Sequence, residues 1–136
     1  MTTQPDSGID VVEAFADVYE AATHVDAGLG VDSGFSEACF QTALAAELPT
    51  SQREVVRPVP YYCHKLRKRI VVGHVRFDLV YQNLVVEIKS YRTKCKTSLP
   101  PALHAQLSAY KRLLAPAEVL LAVLFWKNGV DVFEYN

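Results

Sequence analysis

A chain of 136 residues, half of them apolar, is long enough for one domain with a buried core. No window approaches the roughly 18 consecutive apolar residues of a membrane span, and the acidic, polar opening MTTQPDSGID is not a signal peptide. The net charge of −1 conceals a segregation: residues 1–52 hold nine acids and no Lys or Arg, residues 53–96 hold eleven Lys or Arg against three acids, and the remainder balances at three of each.

Residues 1–8 are expected to be disordered and residues 9–136 to form a single domain. A helical period runs from Ile9 to about Ala27, with Ile9, Val12, Phe15 or Ala16, Tyr19 and Ala22 on one side and acids on the other. The stretch Gly28–Gly34 reads as a loop. A second helix is predicted from about Phe35 to Leu48, where Pro49 stops it, with Phe40, Ala43, Leu44 and Leu48 as its apolar stripe. Glu37 precedes Phe40 and Leu44 at helical spacing, so it points toward the packing side; the alternative is a first-turn interaction with the helix dipole.

Arg53–Tyr62 reads as a strand, and Pro58 and Pro60 place it at an edge or a strand end, because proline cannot donate to a ladder. CHKLRKR connects it to a strand beginning near Ile70. That strand runs into GHVRFDLVYQNLVVEIKS, two alternating runs joined by a tight turn at Gln82-Asn83. With Tyr81 facing Leu84, the register sets Asp78 opposite Glu87 and Arg76 opposite Lys89. Alternation then sends Val75, Phe77, Leu79, Tyr81, Leu84, Val86 and Ile88 to a core face, and Arg76, Asp78, Glu87 and Lys89 to the other.

Two carboxylates directly opposed on a sheet face repel one another across roughly 5 Å. A divalent cation between them removes the repulsion, and Mg²⁺ typically binds one or two carboxylates while leaving positions for water and phosphate oxygens. Lys89 points to the same face, within reach of a phosphate or an attacking water. The alternative is a solvated face of Arg76–Asp78 and Glu87–Lys89 pairs. The basic run around this hairpin suits a polyanion, or else docks on the chain's own acidic half.

After a basic loop, YRTKCKTSLPP, Pro100 or Pro101 opens a helix through about Leu114 with the stripe Leu103, Leu107, Tyr110, Leu114. Gln106 lies on that face, where a mid-helix amide needs a partner. Glu118–Trp126 is nearly continuous apolar, the mark of an interior strand covered on both faces. Asn128-Gly129 turns into a last strand, Val130–Tyr135. The order ααβββαββ, with a helix between the third and fourth strands, permits a parallel crossover in a mixed α/β (α+β) sheet flanked by helices. Cys39, Cys63 and Cys95 form no C-x-x-C motif or disulfide framework, so reduced thiols in an intracellular compartment, cytoplasmic or nuclear, are expected.

With Asp78, Glu87-Ile88-Lys89 and Gln106 in place, the chain resembles the PD-(D/E)XK nuclease superfamily, and more narrowly the small GxxExxY group. Gly34-Phe35-Ser36-Glu37-Ala38-Cys39-Phe40 carries the latter motif, with Phe40 where its name has Tyr. Phe77 precedes the Asp where the superfamily name has Pro, and His104-Ala105-Gln106-Leu107-Ser108-Ala109-Tyr110 matches a Q-x-x-x-Y element. The resemblance implies a restriction-endonuclease-like fold and a Mg²⁺- or Mn²⁺-dependent nuclease acting on nucleic acid, DNA ahead of RNA. In that reading Asp78, Glu87 and the Ile88 carbonyl hold the metal, and Glu37 sits in its outer shell or on a second metal. Lys89 orients or activates water, Gln106 positions water or Lys89, and Tyr110 anchors its helix. Arg67, Lys68, Arg69, Arg76, Arg92, Lys94 and Lys96 are the expected nucleic-acid contacts. His104 is a supporting residue, structural ahead of ligand. The small size favours low specificity, a protein partner or a homo-oligomer. The rival is a nuclease-fold subunit without turnover that binds nucleic acid or serves assembly.

Overall fold

The strand pattern of residues 52–90 organises the chain. In the computed structural model, which describes residues 7–30, 34–91, 99–127 and 129–136, it folds as a meander of β1 (Gln52–Cys63), β2 (Lys68–Tyr81) and β3 (Leu84–Ser90). Gln82, at φ 53°, turns β2 into β3, and Tyr81 pairs with Leu84 in the predicted register. The helices α1 (Ser7–Gly28) and α2 (Glu37–Glu47) precede the meander. Next come α3 (Pro101–Lys111), β4 (Val119–Trp126) and β5 (Gly129–Glu134). These three helices and the five-stranded mixed sheet, among the described residues, make an α+β fold in the order ααβββαββ. Strand order is β1-β2-β3-β4-β5, with β1 at an edge. Among the described strands only β3 and β4 are parallel, with α3 between them in the chain.

Each sheet face has its own core. Phe40, Leu44 and Leu48 of α2 and Val18, Ala22 and Val25 of α1 pack on Leu79, Tyr81, Leu84, Val86, Ile88, Val123 and Phe125. Leu103 and Leu107 of α3 pack on Val85, Leu120, Ala122, Leu124 and Trp126. The Tyr81 hydroxyl donates to Asp17 Oδ2 at 2.7 Å, tying α1 to β2.

Several expectations shift. Residues 1–6 lie outside the described residues, while Ser7 and Gly8, expected to be disordered, open α1. The buried stripe of α1 is Ala14, Val18, Ala21, Ala22 and Val25; Val12 is 68% and Tyr19 50% exposed. Alanines let the helix lie close to the sheet, so the smaller residues are inside and the larger ones outside. Val75 and Phe77 join the α3-side core instead of sharing a face with Leu79 and Tyr81. The β2–β3 register ends at Leu79↔Val86, and Arg76 pairs with Val56 of β1, not with Lys89. Gly129, expected in the last turn, already pairs with Trp126 as the first residue of β5, and Asn128 lies outside the described residues.

Phe40 is fully buried, with its ring 4.8 Å from that of Phe125. Phe40→Ala should destabilise the fold by about 3–5 kcal/mol, because the void is closed in by helix and sheet. A urea unfolding curve with an unchanged midpoint would contradict this packing.

Candidate active site

Where β2 leaves β3, the backbone amide of Ile88 donates to Asp78 Oδ2 at 2.8 Å, so a side chain takes an N–H beyond the last paired residue. This draws the Asp78 carboxyl toward Glu87. Glu87 belongs to a strand buried on both faces and is 3% exposed, the only charged side chain in the interior among the described residues. Its Oε1 is buried without a hydrogen-bond partner. Burial foremost, then the hydrogen bond with Asp78 and that group's charge, push the Glu87 carboxyl up to about 9.

Lys89 lies two residues along the same strand face, its Nζ 3.8 Å from Glu87 Oε2. Burial pulls its ammonium down, but the charges of Glu87, Glu37 and Asp78 outweigh that effect and leave its pKa raised. Glu37 enters from the first residue of α2, after Ser36 at the N-cap, and its Oε1 accepts the Ser90 amide at 3.1 Å. It therefore closes the end of β3 and faces Lys89, which accounts for its helical position better than the dipole alone.

The roof is α3. Gln106 donates from Nε2 to the Tyr110 hydroxyl at 3.0 Å, and the Tyr110 ring packs edge-on against Phe77 at 5.1 Å. Burial and the Glu87 charge raise the Tyr110 pKa. A cleft of about 510 Å³ opens beside Lys89, lined also by Tyr91, Ala102, Leu103 and Gln106. Thus Glu37, Asp78, Glu87, Lys89, Gln106 and Tyr110 converge.

Other expected residues lie elsewhere. Lys68 and Arg69 start β2 and Arg67 stands in the preceding turn, nine residues from Asp78 at the nearest and so about 30 Å along an extended strand. Arg76 is exposed on the same ribbon. Arg92, Lys94 and Lys96 lie outside the described residues. His104 is exposed, with Nδ1 2.9 Å from the Tyr135 hydroxyl.

Two features were not foreseen. Tyr91 stacks on Trp126 at 4.9 Å, forming an aromatic floor beside Lys89. Arg57 clamps Glu118 through two nitrogens at 2.5 and 2.6 Å and lies over the Phe77 ring. The first is legible only once β3 and β4 are known to be parallel, which sets Lys89 beside Leu124 and Ser90 beside Phe125. Nothing in the sequence signals the second.

Among the described residues no group of three or more His, Cys, Asp or Glu side chains is placed to hold a metal ion. The donor set that does occur is a carboxylate pair with one buried, unpartnered oxygen. It fits a hard cation that takes one or two carboxylates and fills its other positions with water and phosphate. A helix-flanked mixed sheet with a buried glutamate beside a half-buried aspartate, and a lysine two residues on, defines a nuclease-type fold. The chain belongs to the PD-(D/E)XK nuclease superfamily, whose sequence model matches residues 12–127. Among solved structures it is similar in fold to the crystal structure of SSO0001, with a TM-score of 0.56 and 18% identity over 90% of this chain. It spans 63% of that protein's length. No curated protein matches the sequence.

Because the folded Glu87 binds its proton more tightly than an exposed glutamate, the metal-free protein should lose stability as pH rises from about 4.5 to about 9. Glu87→Gln, which stays neutral, should flatten that fall. Denaturant midpoints at several pH values check it, and equal slopes in both proteins would refute the assignment.

Proposed function

We propose that this protein is a metal-dependent nuclease that hydrolyses phosphodiester bonds in nucleic acid, DNA ahead of RNA. The observation that carries the reading is Glu87, desolvated beside Asp78 with an unpartnered oxygen and with Lys89 on the same strand face. Uncompensated burial of a carboxylate is unfavourable unless it is paired or coordinates a metal. Superfamily membership supports both the metal and the substrate class.

Asp78, Glu87 and the Ile88 carbonyl would hold Mg²⁺ or Mn²⁺. When bound, the ion lowers the pKa of a water ligand and stabilises charge on phosphate oxygens. Lys89, kept cationic by its three acidic neighbours, donates to a non-bridging phosphate oxygen or to the attacking water. Water oxygen bonds to phosphorus as the bond to the leaving oxygen breaks; the water's proton passes to solvent, and the leaving oxygen takes one from solvent. Glu37 positions Lys89 and the end of β3. Gln106, with Tyr110 occupying its amide, holds a water or Lys89 from the roof. Tyr91, backed by the buried Trp126, offers a stacking surface beside the scissile group. The Gly34–Phe40 motif places the chain in the GxxExxY group under this reading, and the free thiols of Cys39 and Cys63 favour a reducing, intracellular location.

A second reading, a nuclease fold without turnover that binds nucleic acid or serves assembly, draws on the absence of a three-ligand group among the described residues.

Labelled single- and double-stranded substrates incubated with Mg²⁺ or Mn²⁺ separate the two. Cleavage should fall by about a hundredfold or more in Asp78→Ala and Lys89→Ala. Equal residual activity in wild type and both variants would favour the silent fold. Mn²⁺ should also raise the wild-type melting temperature as ligand linkage requires. Asp78→Asn should lose most of that rise while melting at or above wild type without metal. Parallel, metal-independent melts would remove the metal from the site.

A further inference from the structure

No residue between 49 and 74 belongs to either core. The outer parts of β1 and β2 therefore form a two-stranded ribbon beyond the sheet, and such a pair is marginal in water without a packed face. Its exposed side chains are nevertheless large and apolar: Leu66 is 59%, Val71 57% and Val72 58% exposed, with Tyr61 and Tyr62 about half exposed. The outer edge is guarded against strand addition by Pro58, Pro60 and the register shift between Val59 and Pro60. Tyr61 and Tyr62, adjacent on β1, turn to opposite faces, so the faces of the ribbon, not its edge, are available for contact.

The complementary surface is on the same chain. The helix α1 turns one apolar stripe to the sheet and keeps Val12 and Tyr19 outside, with Phe15 half-buried at the margin between them. A shallow groove of about 530 Å³ runs along Phe15, Ala16, Tyr19, Glu20, Thr23 and His24. The charges match as well. Residues 53–76 carry seven Lys or Arg and one acid, Glu54, whereas α1 carries Asp10, Glu13, Asp17, Glu20 and Asp26 and no Lys or Arg.

We propose that the β1–β2 ribbon of one copy docks on the outward face of α1 of a second copy, and that the exchange is reciprocal in a two-fold dimer. Aliphatic side chains at the ribbon favour a protein partner over a phosphate backbone, and α1 supplies both apolar and acidic surface. A reciprocal contact closes, as homo-oligomers mostly do.

Sedimentation equilibrium tests this on the full chain. Wild type should be a dimer at low salt that dissociates as salt rises. Arg67→Glu/Lys68→Glu/Arg69→Glu should raise the dimer Kd by about a hundredfold or more, as should Glu13→Lys/Glu20→Lys, because like charges then face each other. An equimolar mixture of the two variants should recover the dimer, since both contacts of the mixed pair are again opposite in sign; recovery also shows that both variants fold. A monomeric wild type, a dimer that neither variant weakens, or a mixture that stays monomeric would overturn the proposal. So would a monomeric wild type whose ribbon variant loses binding to a labelled DNA duplex, which would make nucleic acid the occupant. Glu37, Asp78, Glu87 and Lys89 are untouched, so cleavage results neither support nor sink it.

Discussion

A carboxyl group buried at a fork between two strands governs the rest of this structure. β2 and β3 share a register only as far as Leu79 and Val86; beyond it β2 continues with β1 while β3 stays between β2 and β4. The parting frees a backbone amide at Ile88, which Asp78 captures, and it leaves Glu87 buried, with Asp78 and Lys89 beside it, on a strand whose first five residues are buried. A lone glutamate there would be strongly unfavourable as an anion. Its tolerance depends on Asp78, on Lys89 and on what the open side of the pair admits.

The other elements are placed to serve that fork. The first residue of α2 carries a carboxylate to the last amide of β3, so the helix start and the strand end are fixed together. α3 covers the opposite side and brings an amide whose Nε2 donates to the Tyr110 hydroxyl, with Gln106 lining the cleft beside Lys89. The Arg57–Glu118 clamp joins the ribbon root to the segment before β4, and the Arg57 hydrogen bond holds the Glu118 carboxyl below the usual range. Two cores on opposite faces thus hold one charged site between sheet and α3.

Much of this was legible because it rests on local rules. Alternation and turn chemistry gave the β2–β3 hairpin and its register as far as Leu79 and Val86, short of the expected Asp78–Glu87 and Arg76–Lys89 pairs; prolines marked β1 as an edge, and an unbroken apolar run marked β4 as interior. Four motif pieces in order gave the carboxylate pair, the lysine, Glu37 and Gln106. What was missed depends on choices between near-equal alternatives or on distant contacts. The helix α1 has two apolar stripes, and sequence favours the bulkier one, whereas close approach to the sheet selects the alanines. Period-two alternation extends Val75 and Phe77 onto the face of Leu79, but the strands part at Asp78 and those side chains join α3 instead. Arg57 and Glu118 are 61 positions apart, and no local pattern links them.

The parallel pairing of β3 with β4 has a kinetic consequence. β1, β2 and β3 are neighbours in sequence and can assemble through short turns, whereas β4 joins β3 only after the chain has closed a loop containing α3. Loop closure must precede the contacts that compensate for its entropy, so this step is expected late in folding. Until it occurs, Glu87 sits on the open edge of a three-stranded meander and is still hydrated. Desolvation of the acid pair and the creation of the site are therefore one event, coupled to the docking of the last α-β unit. A nascent chain lacking β4 would carry every acidic residue of the cluster and none of its electrostatic strain.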